Sequence, residues 1–413
     1  MNFSARYALI GFMYFRGSRN NKMKVKIYQA FLALMVIGLV FSSFLTSVSM
    51  IGLVVLTAFY WQDFRKGRIF GMWFILLFFN MLILVGSDPD IPYWMNRLRV
   101  HLPFLLLPIT FLFLPVLTAK QYLNFHLFFA FVLLIGCIQS MILYYGGAYD
   151  YQEHLKMGQS IPVPTRSHIR FSMMLVYILL ILIWIWWKGQ HLLDKWWEKV
   201  AVIIFTGFLF ISIHWLAVRS GLLILYSIVS FYLIRHIWIA KSWRLGFWGL
   251  LFLIGMPVFS FFCFPSFKAK VGYTIYEVKM VLEGQGQGYS NGDRIASIID
   301  GWRLFKNHPI WGIGTGSLRA EMKEMSSKEY SSELDVLIPH NQWVIEAAEG
   351  GVVGLSIFII GFLMPFLSRN KKVYHSFYLI YGVVGISMLF EPTLETAEGI
   401  GMFLLGVLVA RKE

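Results

Sequence analysis

The sequence contains little charge for its length. Charged residues make up only 14% of the 413 residues, whereas hydrophobic residues make up 58%. A soluble globular domain carries about 25% charged residues, so the composition excludes that class. Apolar runs of about 17 to 25 residues can cross a hydrocarbon core roughly 30 Å thick, and we recognise twelve candidate runs, of which the first and the last are shorter. The sequence therefore predicts an all-α polytopic membrane protein with about 12 transmembrane helices.

Cysteine is scarce, and the glycine-rich segments lack a lysine. Both cysteines, Cys137 and Cys263, lie in apolar runs, which argues against a disulfide framework or a metal site.

The segments GQGQGY and GIGTGS superficially resemble phosphate-binding loops. Neither has the preceding strand and the lysine of a P-loop or dinucleotide fold. We expect no nucleotide site, no metal and no other cofactor.

Acidic residues are outnumbered, which gives a formal net charge of +14. Such a charge is typical of nucleic-acid-binding proteins, but here it follows the connections between apolar runs. Twenty-one basic residues lie at the termini and on alternate connections, against six in the short connections opposite. By the positive-inside rule both termini are predicted to be cytoplasmic. Membrane topology accounts for the charge, and we expect no nucleic-acid partner.

One connection is much longer than the others. About eighty residues separate the ninth and tenth apolar runs, with aromatic anchors and no low-complexity tract. Connections of this length are usually functional or disordered, and we interpret this one as a small, mostly helical extracytoplasmic domain. The predicted organisation is a basic cytoplasmic segment (1–26), transmembrane helices 1–9 (27–264), the extracytoplasmic loop domain (265–348) and transmembrane helices 10–12 (349–413).

Two arginines on the predicted outer side are candidates for anion binding. Arg219, in AVRSGLL, opens the eighth apolar run, where an arginine either binds an anion or snorkels to the lipid headgroups. Arg294 lies on a predicted helix in NGDRIAS. Asp293 either caps that helix or pairs with the arginine. The residues alone leave these alternatives open.

The segment IPHNQWVIEAAEGGVVG places His340 and Asn341 just before the tenth apolar run. A histidine titrates near neutral pH, and this one belongs to the same outer connection as Arg294. It is either a general base at the membrane surface or an ordinary solvated side chain. Asn341 either orients it or caps the helix that follows.

Two other polar groups lie on the same predicted side. Asp88 and Asp90, in SDPDIP, form a D-x-D pair of the kind that can hold a divalent cation. The same letters are an ordinary turn sequence, and we favour the turn. Arg166, His168 and Arg170 open the sixth apolar run. They either widen a basic mouth or anchor the helix in the membrane interface.

The order of these motifs resembles the bacterial O-antigen ligase and polymerase superfamily. The pattern consists of Arg219 before a membrane helix, a long outer loop with Arg294 and WRLFKNHPIWGIGTGS, then His340 with the following EGGVVG. The resemblance is best over about residues 200 to 400 and includes the segment EPTLETAEG before the last apolar run. The order and the shared side of the membrane carry the resemblance more than any single motif.

This resemblance implies a metal-independent, inverting glycosyltransferase of the bacterial inner membrane, with a GT-C-like architecture and an active site facing the periplasm. Its donor would be a polysaccharide on undecaprenyl diphosphate, and a ligase would use a sugar hydroxyl of lipid A-core as acceptor. We predict that Arg219 and Arg294 neutralise the diphosphate and that His340 activates the acceptor. The secondary candidates for substrate binding are Arg166, His168, Arg170, Asn341 and Glu349.

Several functions remain open at this point. A polymerase or a protein O-oligosaccharyltransferase of the same superfamily would share these features. A flippase for lipid-linked oligosaccharide would need charges along the middle of several helices, and it often shows duplicated halves. The apolar runs have almost no charge in their centres and no internal repeat, which favours chemistry at one face. Glu391 or Glu395 would then face the same cavity.

Overall fold

The computed structural model describes residues 23–63, 66–83, 90–146, 151–286, 288–329, 338–368 and 372–412. Most of the predicted 1–26 segment lies outside these ranges. The described ranges are almost entirely helical and contain no β-strand beyond one isolated bridge, between Val373 and Arg411. The prediction of an all-α fold is confirmed.

The helices of the first half include long apolar segments and two short pieces. They are α1 (Met23–Phe41), α2 (Ser43–Thr57), α3 (Ile75–Asn80), α4 (Ile91–Phe113), α5 (Ala119–Tyr145), α6 (Tyr151–Lys156), α7 (His168–Lys188) and α8 (Trp196–Leu216). The second half continues with α9 (Arg219–Ala240), α10 (Trp243–Cys263), α11 (Pro265–Leu282), α12 (Ser290–Asn307), α13 (Leu318–Glu329), α14 (Gln342–Leu367), α15 (Ser376–Ser387) and α16 (Ala397–Val409). Short 3-10 helices cover Trp61–Asp63, Lys66–Phe74, Gln190–Leu192 and Thr393–Glu395.

Seven helices within the described ranges are long and apolar enough to cross a membrane: α1, α5, α7, α8, α9, α10 and α14. Four shorter apolar helices accompany them: Ser43–Thr57, Phe70–Asn80, Ser376–Ser387 and Ala397–Val409. The protein is therefore a multi-pass membrane protein. The number of twelve spans stays a prediction.

The two extremes of burial identify the centre and the edge of the bundle. In α7, 83% of the apolar stretch is buried, because the helix packs against α5, α8, α9 and α15. In α10 only 6% is buried. A helix that is apolar all round and exposed in this way faces lipid, whereas α7 forms the core.

The helix α14 is folded back on itself. Gly351 has φ 58° and ψ −156°, which interrupts the helix. The rings of Trp343 and Phe358 lie 5.4 Å apart, and those of Trp343 and Phe362 lie 6.2 Å apart. In a straight helix the latter pair would be separated by roughly 28 Å. We call the two parts the first arm (342–350) and the second arm (352–367).

The loop 309–316 fills the break between the two arms. The amides of Ile313 and Gly314 donate to the carbonyls of Ala348 and Glu349, and Val352 N–H donates to the Pro309 carbonyl at 2.8 Å. Backbone groups freed by a break in an apolar helix need such partners, because no water is available in the membrane. The loop therefore stabilises the reversal of α14.

Two glycines allow this close approach. A Cβ on Gly312 would lie 2.2 Å from the Glu349 carbonyl oxygen, and one on Gly351 would lie 2.3 Å from the Ile310 carbonyl oxygen. Both glycines also have positive φ, which L side chains rarely adopt. The segment GIGTGS thus builds a backbone junction with the break in α14.

Candidate functional site

Arg294 projects from the first turns of α12 toward the loop between α15 and α16. Its guanidinium lies 2.8 Å from Glu391 Oε1. The arginine side chain is 25% exposed, whereas that of Glu391 is 4% exposed. Burial raises the pKa of Glu391, and Arg294 opposes that shift. The carboxylate of Asp293 is not the ion-pair partner of Arg294. It accepts a hydrogen bond from the Gly288 amide at 3.0 Å.

His340 is held against the same helix. Its backbone N–H donates to Ser297 Oγ at 3.2 Å, and its Nδ1 lies 3.4 Å from that hydroxyl. Burial lowers the pKa of His340 to about 4, and the positive charges of Arg294 and Arg170 act in the same direction. The imidazole is therefore neutral near pH 7, the form that can accept a proton.

Asn341 caps the first arm of α14. Capping was one of the two roles that the sequence left open for it, the other being to orient His340. Its Oδ1 accepts the Val344 amide at 3.1 Å. Its Nδ2 donates to the Leu389 carbonyl at 2.9 Å, so the cap also fixes the loop that carries Glu391. Asn341 thus positions the backbone beside His340 from two directions.

Arg170 reaches this loop from α7. It is buried and donates to the Pro392 carbonyl at 2.8 Å and to Thr396 Oγ1 at 3.2 Å. His168, two residues before Arg170 on α7, lies within electrostatic range of four cationic groups: Arg170, Arg219, Lys270 and Arg294. Arg166 is exposed. The structure therefore brings Arg170 and His168 beside Arg294 and His340.

Arg219, at the first turn of α9, pairs with the buried carboxylate of Glu277 on α11. Its guanidinium also donates to Asn291 Oδ1 at 3.2 Å. The side chain remains 31% exposed. Glu277 is held in turn by the Asn291 side chain at 3.0 Å. Arg219 is thus tied to the start of α12, a few residues before Arg294.

Lys270 is a member of this group that the sequence did not single out. It lies on α11, is buried, and donates to the Gly158 carbonyl at 2.6 Å. Burial lowers its pKa to about 8, and the nearby Arg219 adds to this shift. It was one of nine basic residues in the long loop, and only its spacing of seven from Glu277 on a helical stretch could have marked it.

We call these residues the basic cluster: His168, Arg170, Arg219, Lys270 and Arg294. Glu277 and Glu391 pair with two of its cations. The four Arg and Lys side chains outnumber these two ion-pair partners, while Glu395 and Glu398 add negative charge near Arg170. Planar guanidinium groups in such a setting can bind phosphate oxygens in a bidentate manner.

Glu349 is not directed at His340. It forms an ion pair with Arg97 of α4, and Arg97 also contacts Glu395 at 2.8 Å. His101 lies 3.7 Å from the other oxygen of Glu395. We call Arg97, His101, Glu349 and Glu395 the buried ionic network. Hydropathy could not reveal it, because Arg97 and its two partners are far apart in the sequence.

Gln342 connects the buried ionic network to the loop of Glu391. Its side chain donates to Glu395 at 2.8 Å and to Glu346 at 2.9 Å, and its Oε1 accepts the Leu394 amide at 3.0 Å. Glu346 also receives the side-chain amide of Asn80 at 2.6 Å. The first arm of α14 therefore begins two residues after His340, and its buried polar face anchors it.

The predicted D-x-D pair is described only in part. Asp90 caps α4, where its Oδ1 accepts the Tyr93 amide at 3.0 Å, as expected for the turn. Asp88 lies outside the described residues. Within those ranges no three His, Cys, Asp or Glu side chains form a group that could hold a metal ion.

The fold and the site define a multi-pass membrane protein with a basic cluster at one end of its bundle. Residues 204–359 match the family model described as O-antigen ligase. This match covers 156 of the 413 residues and supports a relationship to the O-antigen ligase and polymerase superfamily. The matched segment includes Arg219, Arg294 and His340, and it ends within the second arm of α14. No curated protein matches the chain.

Proposed function

We propose that the protein is an O-antigen ligase of the bacterial inner membrane. It transfers a polysaccharide from undecaprenyl diphosphate to a sugar hydroxyl of lipid A-core at the periplasmic face. The observation that carries this proposal is the convergence of Arg170, Arg294 and His340, which lie far apart in the sequence and within electrostatic range of one another. No metal takes part in the proposed reaction.

The basic cluster is proposed to bind the donor diphosphate. A diphosphate that links a sugar to a lipid carries two negative charges, and more charge develops on it as the sugar leaves. Arg219 and Arg294 are each partly exposed, so phosphate oxygens can approach them. Fixed cations aimed at a leaving group lower the transition-state energy.

His340 is proposed to activate the acceptor. The acceptor hydroxyl attacks the anomeric carbon, the new C–O bond forms, and the bond to the diphosphate breaks with inversion. The hydroxyl proton passes to the neutral imidazole of His340, and undecaprenyl diphosphate leaves as the anion. Glu391 holds Arg294 beside this imidazole, which supports its role as a positioning residue.

The runner-up is a polymerase of the same superfamily, which would use a second lipid-linked repeat unit as acceptor. The family match supports both, and the basic cluster would serve either reaction. A protein O-oligosaccharyltransferase shares the donor chemistry as well. The acceptor therefore has to be identified by experiment.

The test deletes the gene in its host and compares lipopolysaccharide on gels with the pool of undecaprenyl-linked polymer. A ligase predicts loss of the whole ladder and accumulation of lipid-linked polymer. A ladder reduced to one repeat would assign a polymerase instead, and an unchanged profile would contradict both. Complementation with His340→Ala and with Asn96→Ala, an α4 residue outside the basic cluster, provides a matched pair at the same expression level.

A further inference from the structure

A long groove runs along the membrane-facing surface between α9, the second arm of α14, and α15. Its volume is about 620 Å³. That size falls within the roughly 300 to 1,000 Å³ of typical ligand sites. None of the residues proposed for glycosyl transfer lines it. The groove is thus a second candidate site, separate from the basic cluster.

The wall on α9 is a single helical stripe. Ile228, Phe231, Tyr232 and Arg235 line the groove at spacings of three and four residues. This is the spacing that puts side chains on one helix face. The stripe is apolar until its last member, Arg235. A ligand that follows it would be apolar along its length and anionic at one end.

The charged end lies at the face of the bundle opposite the basic cluster. Arg219 and Arg235 are sixteen residues apart on α9, a separation of about 24 Å. On α15 the groove extends from His375 to Ile386, or about 17 Å. This is close to half of a hydrocarbon core roughly 30 Å thick. The groove is therefore about as long as one leaflet is thick, and Arg235 lies at one of its ends.

The polar groups at this end are arranged to receive an anion. Arg235 is exposed, and the described residues that line the groove include no carboxylate. His375 Nε2 lies 2.8 Å from the Tyr232 hydroxyl, and Trp184 stacks on the imidazole with ring centroids 5.5 Å apart. These contacts fix the aromatic floor and leave the guanidinium as the cation for a ligand.

We propose that this groove binds an anionic glycerophospholipid from the leaflet at the Arg235 face. One acyl chain lies along the α9 stripe toward Trp343, and the phosphate lies on Arg235. The site does not depend on the proposed glycosyl transfer, and its occupancy can be measured without activity. Preferential binding of another membrane lipid is one of the outcomes that the test distinguishes.

The first test replaces the charge. Purified protein is examined by native mass spectrometry with added phosphatidylglycerol or phosphatidylcholine. The wild type is expected to retain phosphatidylglycerol preferentially, and Arg235→Gln should weaken that binding about fivefold, since one basic residue near an anionic headgroup contributes on this scale. Arg244→Gln is the matched control, because Arg244 is an exposed arginine at the same face that stacks on Trp243 outside the groove.

The second test fills the groove. A Cβ on Gly385 would meet no atom within 4 Å, so Gly385→Leu adds a side chain to open space in the groove wall. We expect it to reduce phosphatidylglycerol binding at least as much as Arg235→Gln. Gly255→Leu on α10 is the control, because Gly255 is equally open and lies away from the groove.

The outcomes separate the proposal from its alternatives. Equal retention of the two phospholipids, or equal effects of Arg235→Gln and Arg244→Gln, would overturn it. Displacement of phosphatidylglycerol by undecaprenyl phosphate at equal concentration would also overturn it and assign the groove to the donor lipid. Loss of binding in Arg235→Gln and Gly385→Leu, with both controls unchanged, supports it.

Discussion

Two arginine–glutamate pairs hold the same loop between α15 and α16, and they differ in how far their arginine side chains are exposed. Arg97 pairs with Glu395, and the arginine side chain is 7% exposed. Arg294 pairs with Glu391, four residues earlier, and its side chain is 25% exposed. The first pair is closed on all sides by protein. The second keeps an open side on which a ligand can bind.

The two pairs also differ in charge balance. Arg97 is shared between Glu349 and Glu395, so its charge is fully used inside the buried ionic network. Within the described ranges Arg294 forms an ion pair with one carboxylate, Glu391, and the positive charge of Arg170 acts on the same carboxylate. Removal of a buried partner is costly because it strands a charge, whereas an open cation is available for function. Substitution of Arg97 should therefore lower stability, whereas substitution of Arg294 should lower the rate of transfer.

The largest effect is expected at Arg97. Arg97→Leu leaves Glu349 and Glu395 buried without their cation, which should cost about 3 to 5 kcal/mol. We expect poor yield of folded protein and a large drop in melting temperature in detergent. Arg294→Leu should cost about 1 kcal/mol or less, because Arg294 is partly exposed and Arg170 stays close to Glu391. Equal melting temperatures for the two variants would contradict the comparison.

For the rate of transfer we expect the larger effect at Arg294, in a variant that leaves the fold intact. Arg294→Lys keeps the charge and loses the planar fork, so transfer should fall about 10²-fold, near 2.7 kcal/mol in the barrier. The measurement is the initial rate of polysaccharide transfer with purified protein. Arg303→Lys, a half-exposed arginine on the same helix, is the control and should be near wild type. A wild-type rate for Arg294→Lys would remove the guanidinium from the mechanism.

The junction at the break of α14 links both regions and can be tested alone. Gly312→Ala places a Cβ 2.2 Å from the Glu349 carbonyl oxygen at a φ of 69°, so the loop or the break has to shift. We expect a loss of about 2 kcal/mol in stability. Gly272→Ala on α11, where the Cβ meets nothing within 4 Å, serves as the control. An unchanged melting temperature for Gly312→Ala would argue against the docked loop.

The smallest effect concerns the titration of His340. Its pKa in the folded protein, about 4, lies below the ordinary value of 6.5. The unfolded chain therefore binds the proton first, so stability is full above pH 6.5 and decreases as the pH falls toward 4. His340→Gln should lessen the destabilisation between pH 7.5 and pH 5.5 by about 1 kcal/mol, after allowance for partial exposure. Identical pH dependence of melting in both proteins would contradict a depressed pKa.

Much of the candidate site could be predicted from the order of motifs. The sequence places Arg219, Arg294 and His340 on one predicted side of the membrane, because each stands beside a helix start or in the long outer loop, and their roles stay predictions. Asn341 as a cap and Asp90 as a turn residue follow from local hydrogen bonding, which sequence alone encodes well. The all-helical fold follows from the long apolar runs.

The remaining features depend on contacts between distant segments. Residues 342–367 form one apolar stretch, and hydropathy contains no sign that it reverses at Gly351. The segments GIGTGS and EGGVVG each indicate unusual backbone, but not that Gly312 lies against Glu349. The pairing of Arg97 with Glu349 and Glu395 is likewise a contact between distant segments that the sequence does not indicate. Single-sequence periodicity reports faces of helices and not their partners.

The most direct test of the central claim is transfer by purified protein in lipid nanodiscs. The assay supplies undecaprenyl diphosphate-linked polysaccharide and lipid A-core in the presence of EDTA, and it detects the product on gels. We expect transfer by the wild type, about 10²-fold slower transfer by Arg294→Lys, and none detectable by His340→Ala, with all three proteins equally folded. Transfer at the wild-type rate by both variants would contradict the claim that this cluster carries the reaction.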